Sequence, residues 1–115
     1  MDTKNIRIGI VGACGSGKSE LARRLKTRGF SVRHIAQEHS FAPNMWQHIT
    51  NPDILIFLKV SYFVTMARKN FNWTEREYQQ QIERLAHAHQ HADLHIDTDA
   101  LTPEEVLARV LDFLE

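Results

Sequence analysis

Nine residues, "VGACGSGKS" from Val11 to Ser19, constrain this chain more than any other part of it. Four residues separate Gly12 from Gly17, and Lys18 and Ser19 follow directly. Ahead of the stretch, "NIRIGI" alternates Ile6, Ile8 and Ile10 with Arg7 and Gly9, a strand pattern. Behind it, Leu21, Ala22 and Leu25 fall at helical spacing, and Gly29 provides a stop. The order is therefore strand, glycine-rich loop, helix. The glycines reach backbone conformations that a side chain would block. Successive N–H groups can then turn inward and cradle phosphate oxygens, and the helix start adds its positive end.

This context is that of a P-loop. It predicts nucleotide contacts along Gly12, Ala13, Cys14, Gly15, Ser16, Gly17, Lys18, Ser19 and Glu20. Lys18 supplies a mobile charge for the outer phosphates, and the Ser19 hydroxyl a ligand for magnesium.

The rest of the composition narrows the setting. A length of 115 residues fits a single domain, 1–115, with one core. The formal net charge is zero, so no broad basic surface for nucleic acid is expected. No apolar run is long enough to span a membrane, and the N-terminus does not read as a signal peptide. Cys14 is the only cysteine, which excludes an internal disulfide. These features predict a cytoplasmic location. Cys14 sits near a helix start, where a redox role is conceivable; the simpler reading is a tolerated residue at a variable loop position.

Further along, "FSVRHIAQE" reads as a second strand. "FAPNMWQHI" reads as a short helix with Phe41, Met45 and Ile49 stacked four apart. "ILIFLKV" is nearly all apolar, as a strand buried on both faces would be. Ser61 is a candidate cap for a helix running to about Lys69, which "NFNW" interrupts. Thr74 and Glu77 form a capping box for a helix with Tyr78, Ile82, Leu85, Ala86 and His89 as its inner stripe. "ADLHID" is a fourth strand. The last helix has Thr102 as N-cap, Pro103 first and Glu105 as capping partner. Its inner face is Val106, Leu107, Val110, Leu111 and Leu114. Alternating strands and helices imply a parallel sheet covered on both sides.

Three segments resemble the P-loop kinases of small molecules, such as nucleoside monophosphate, shikimate and dephospho-coenzyme A kinases. They are the P-loop, "PDILIFLKVSYFVTMAR", and "ADLHIDTDALTPEEVLARVLDFL". The second is similar to the family's fourth strand and the helix after it, and Arg68 falls on that helix's closing arginine. The third is similar to the last strand and helix. The resemblance implies a three-layer α/β/α P-loop NTPase fold. The family has five core strands in the order 2-3-1-4-5, and this chain has room for four. The strand in "SVRHIAQEHS" matches either the family's second or its third, with the third preferred. In both cases Phe30–Ala36 pairs with Ile6–Val11, and the order in this chain's own count is 2-1-3-4. The crevice at the carboxyl end of strand one, where the connection reverses, is then the expected ligand site.

The same resemblance implies ATP and magnesium as ligands. It places Glu38 beside Ser19 as a metal residue where aspartate is usual, and Lys59 where the family usually has aspartate. Lys18, Glu38 and Arg68 are the implied catalytic residues. The lid shrinks to Arg68–Arg76, where Phe71 and Trp73 either cover the adenine or pack the loop down. Thr98 and Asp99, in the loop 98–101, would line the base. The acceptor region is reduced to Phe41–Ile49, so the acceptor is unnamed. Adenine is preferred to guanine because neither N-K-x-D nor T-K-x-D occurs.

Three functions remain in play. The first is magnesium-dependent phosphoryl transfer or ATP hydrolysis of the small-molecule kinase type. The second is a non-catalytic or regulatory nucleotide-binding module. The third is a metal-handling NTPase using the histidines of "HAHQHADLH", where His87 and His91 would share a helix face and His89 would lie inward. The two sheet edges would allow a homodimer.

Overall fold

A computed structural model of the chain describes residues 5–69 and 72–115, with Lys69 described by its backbone alone. The elements in chain order are β1 (Arg7–Gly12), α1 (Lys18–Thr27), β2 (Ser31–His34), a 3₁₀ turn (Gln37–His39) and α2 (Met45–Ile49). There follow β3 (Ile54–Lys59), α3 (Tyr62–Lys69), α4 (Glu75–Arg84), α5 (Ala86–His91), β4 (Leu94–Asp97) and α6 (Pro103–Leu114). Among the described residues no helix is long and apolar enough to cross a membrane.

The four strands form one parallel sheet in the order β2-β1-β3-β4, as expected. Ile8 and Ile10 of β1 face Val32 and His34 of β2 on one side, and Ile54 and Ile56 of β3 on the other. An added hydrogen bond from Ile35 N to Ile10 O, 2.8 Å, carries the β1–β2 pairing one residue further. The pleat of β1 then divides the core. Ile8 and Ile10 join Leu21 and Leu25 of α1 and Val106 and Val110 of α6. Val11 joins Trp46, Leu85 and Ala88 on the opposite face. In β3, Leu55, Ile56, Phe57 and Leu58 are all buried, as an apolar strand covered on both faces requires.

Both capping boxes form. Thr74 accepts from Glu77 N and Thr102 from Glu105 N, and each glutamate carboxylate in turn accepts from its cap's backbone N–H. Gly29, at φ 89°, ends α1.

Three expectations need correction. The helix after Pro43 is confined to Met45–Ile49, and Phe41 and Ile49 are exposed. Its buried residue is Trp46, whose N–H is taken by the Gln37 side chain at 2.9 Å. The helix begun at Thr74 breaks at Leu85, and this shifts the phase of the inner stripe. Ala88 becomes the buried residue of α5, while Ala86 and His89 face outward. Finally, β2 stops at His34, so Glu38 stands on the 3₁₀ turn beyond the strand rather than at its last residue.

Candidate functional site

The carboxyl ends of β1, β2 and β4 bring the glycine loop, the 3₁₀ turn and Thr98 to one end of the sheet. The loop between Gly12 and Lys18 is shaped by close approach. A methyl group on Gly12 would lie 2.6 Å from Ser16 Oγ and 2.7 Å from Leu58 O, so no side chain fits there. Gly15 and Gly17 have φ of 87° and 95°, which glycine adopts without strain. Gly15 packs its backbone on Thr65 of α3, whereas the space beside Gly17 is open. Ser16 Oγ is buried and has no hydrogen-bond partner. Gly17 provides no side-chain cap for α1, so the helix presents its first N–H groups to whatever lies in front.

Lys18 and Glu38 meet at the centre of this end. Nζ lies 2.6 Å from Glu38 Oε2, with the two side chains 11% and 3% exposed. The other carboxylate oxygen, Oε1, is buried with no partner. Gln37, fully buried, fixes the turn by donating to Ala42 O and Arg84 O and accepting from Trp46 N. Arg84 also donates to Glu38 O at 3.3 Å.

Arg68 forms a second tie. Its guanidinium donates to Gly15 O at 3.2 Å, to Thr98 Oγ1 at 3.0 Å, and to Thr98 O. Thr98 is buried, and its hydroxyl donates to Lys59 O at 3.0 Å. Beside this tie is a cavity of about 270 Å³ lined by Ser16, Gly17, Glu20, Arg68, Thr98 and Leu101.

The expected site residues thus divide. Lys18, Cys14 and Glu38 gather on one side of the loop. Ser16, Gly17, Glu20, Arg68 and Thr98 gather around the cavity. Ala13 is buried beneath the loop and accepts from Ser16 N at 3.0 Å. Ser19 is exposed on the first turn of α1. Asp99 stays out of the cavity lining, and its carboxylate accepts from Ser61 N at 2.9 Å. Bonds from Arg23 and then Arg24 hold the Glu20 carboxyl below its ordinary range.

Of the short segment Arg68–Arg76, Asn70 and Phe71 lie outside the described residues, so the adenine-covering role suggested for Phe71 lies outside them too. Trp73 donates to Thr65 Oγ1 at 3.1 Å and meets Tyr78 edge-on. The late histidines also engage one another and their surroundings. His87 Nδ1 accepts from the Trp46 indole at 3.1 Å, and His91 stacks on His87 at 4.2 Å between ring centroids. His89, exposed rather than inward, stands edge-on to Phe57.

Gln81 is the neighbour that sequence reasoning missed. It accepts from Cys14 N at 3.0 Å and donates to Cys14 Sγ at 3.2 Å. A signal was present: Gln81 is a polar residue three positions after Tyr78 and four before Leu85, on the inner side of its helix. No protein-family model matches this chain, and no curated protein matches it.

Proposed function

We propose that the chain is a nucleotide-binding protein with a three-layer P-loop NTPase fold, and that it acts on ATP with magnesium in the manner of a small-molecule kinase. The observation that carries this reading is the glycine loop at the start of α1, with Ser16 Oγ buried and unpartnered and with Gly12 too close to Ser16 and Leu58 for any side chain. An orphaned donor, an uncapped helix start and a sheltered ammonium together suit a bound anion of several phosphates.

Lys18 rests on Glu38 and would transfer its charge to the outer phosphates on nucleotide binding. This exchange replaces one carboxylate partner with another anion, so the ammonium is never left unpaired out of water. Ser19, and Glu38 once Lys18 has left it, are the residues suited to hold magnesium, a hard cation that takes oxygen ligands and keeps several waters. Magnesium would offset phosphate charge there. Arg68 already crosses from the loop to Thr98, and its guanidinium is the cation there that would neutralise a transferring phosphoryl group. The cavity beside Thr98 and Leu101 has the position and apolar walls to take an adenine.

The shortness of α2 favours a second reading, a module that binds nucleotide without an acceptor. Thermal shift with ATP and GTP, each with and without magnesium, tests the binding shared by both readings. ATP is expected to stabilise the chain more than GTP does, and Lys18→Ala to remove most of that gain. Equal gains in Lys18→Ala would end the P-loop reading. Acceptor-dependent phosphate transfer would then separate the kinase from the module.

A further inference from the structure

Cys14, Glu38 and His39 form, among the described residues, a group of three metal-capable side chains whose donor atoms all lie within 4.8 Å of one another. The late histidines form no such group among those residues. From this geometry we infer a binding site for a zinc-type transition metal, held by Cys14 Sγ, His39 Nε2 and the Glu38 carboxylate. The inference does not rest on nucleotide binding.

The spacing is the first support. Zinc binds thiolate sulfur at about 2.3 Å and imidazole nitrogen at about 2.0–2.1 Å, so a tetrahedral ion holds the two donors about 3.6 Å apart. Cys14 Sγ and His39 Nε2 stand 3.6 Å apart. His39 Nε2 is also 3.6 Å from Glu38 Oε2. The carboxylate has an oxygen to spare. Oε2 serves Lys18, while Oε1 is buried without a partner. With two oxygens, Glu38 would keep Lys18 on one and offer the other to the ion.

Preorganisation is the second support. Gln81 grips Cys14 from two directions, through its N–H and its sulfur, which orients the thiolate as an outer-shell partner does. Glu38 and His39 are adjacent on a turn that buried Gln37 pins. The imidazole is 59% exposed, so an ion can enter from solvent and keep a water in its fourth position. The donor set also selects the metal. Thiolate and imidazole suit zinc or cobalt, whereas magnesium takes oxygen ligands.

Cobalt(II) is the probe for the test, because a cobalt–thiolate bond absorbs in the near ultraviolet and Cys14 is the only cysteine in the chain. Titrating the full chain with cobalt(II) under reducing conditions is expected to raise that band to saturation at one metal per chain, and zinc is expected to abolish it by displacement. Cys14→Ser should lose the band, and His39→Gln should weaken cobalt binding about tenfold or more. Zinc should also slow alkylation of Cys14 in the native chain and lose this effect in His39→Gln, a readout that does not depend on Cys14→Ser folding. No band at saturating cobalt, one metal shared by two chains, or unchanged affinity in folded His39→Gln would overturn the assignment. None of these outcomes depends on ATP, so the nucleotide reading stands or falls separately.

Discussion

Lys18 Nζ and Glu38 Oε2 lie 2.6 Å apart, each carried past the carboxyl end of a different strand, with both side chains nearly out of water. A buried pair of this kind stabilises little by itself, because desolvation offsets most of the attraction. Removing one member is costly, because the other is left charged and unpaired.

Lys18→Met is therefore expected to cost about 3–5 kcal/mol in urea unfolding at neutral pH. The double variant Lys18→Met/Glu38→Gln should recover much of that loss. Additive effects of the two single changes would show that the residues are not coupled.

If the chain binds ATP with magnesium as proposed, Glu38→Gln should have opposite effects on the two forms of the nucleotide. Without magnesium, ATP binding stays equal or tightens, since Lys18 no longer has to leave a carboxylate. With magnesium, the additional gain should fall about tenfold, the size of one charged contact. Calorimetric titrations with and without the ion check both arms, and an undiminished magnesium gain would remove Glu38 from the metal's surroundings.

Gly12 and Gly17 should fail for different reasons. Gly12→Ala forces a methyl group against Ser16 and Leu58, at an expected cost of about 1–3 kcal/mol. Gly17→Ala meets no atom within 4 Å but must hold a φ of 95°. Asparagine tolerates positive φ better than alanine does. Gly17→Asn should thus be milder than Gly17→Ala, while Gly12→Asn should bring no relief over Gly12→Ala. Urea unfolding of the four variants decides it.

Acid should loosen α6 through Glu105. Its bond from the Thr102 N–H, and next its bond from the Thr102 side chain, hold the Glu105 carboxyl below the ordinary value of 4.5. The unfolded chain then binds the proton more readily, so the contribution is complete above that value and is lost as pH falls through it toward the lowered one. Glu105→Gln should flatten this part of the acid limb. The stability of both chains, followed from neutral pH to about pH 3, gives the comparison. Parallel curves would show that the capping carboxylate carries no pH dependence.

Strand order was legible in the sequence because a single strand pattern lies between the first helix and Pro52, and it is left to stand beside β1. The capping boxes were legible because a threonine and a glutamate three residues later satisfy local N–H groups without help from the rest of the fold. The break at Leu85 was not legible. A stripe at helical spacing runs through it, and only packing against β3 shows that Ala88 replaces His89 inside. The Lys18–Glu38 contact was out of reach for a related reason. Sequence placed both residues at one end of the sheet, but the 3₁₀ turn that aims Glu38 at Lys18 depends on buried Gln37 and its bonds to Ala42, Trp46 and Arg84. The helical spacing turns Gln81 inward, but its bond to Cys14, 67 residues away, follows only from the assembled fold.

β1 obtains one neighbour soon and the other late. β2 follows it through a single helix, whereas the Arg7–Asp53 bond at the mouth of the β1–β3 pairing spans 46 residues. As the chain leaves the ribosome, β1, the glycine loop, α1 and β2 can assemble while the far flank of β1 still has no strand against it. Leu58, whose carbonyl bounds Gly12, arrives only with β3. The loop is expected to take its final shape late in synthesis, when that flank closes. Pulse-labelled hydrogen exchange during refolding would then show amides of the β1–β3 seam gaining protection after those of α1.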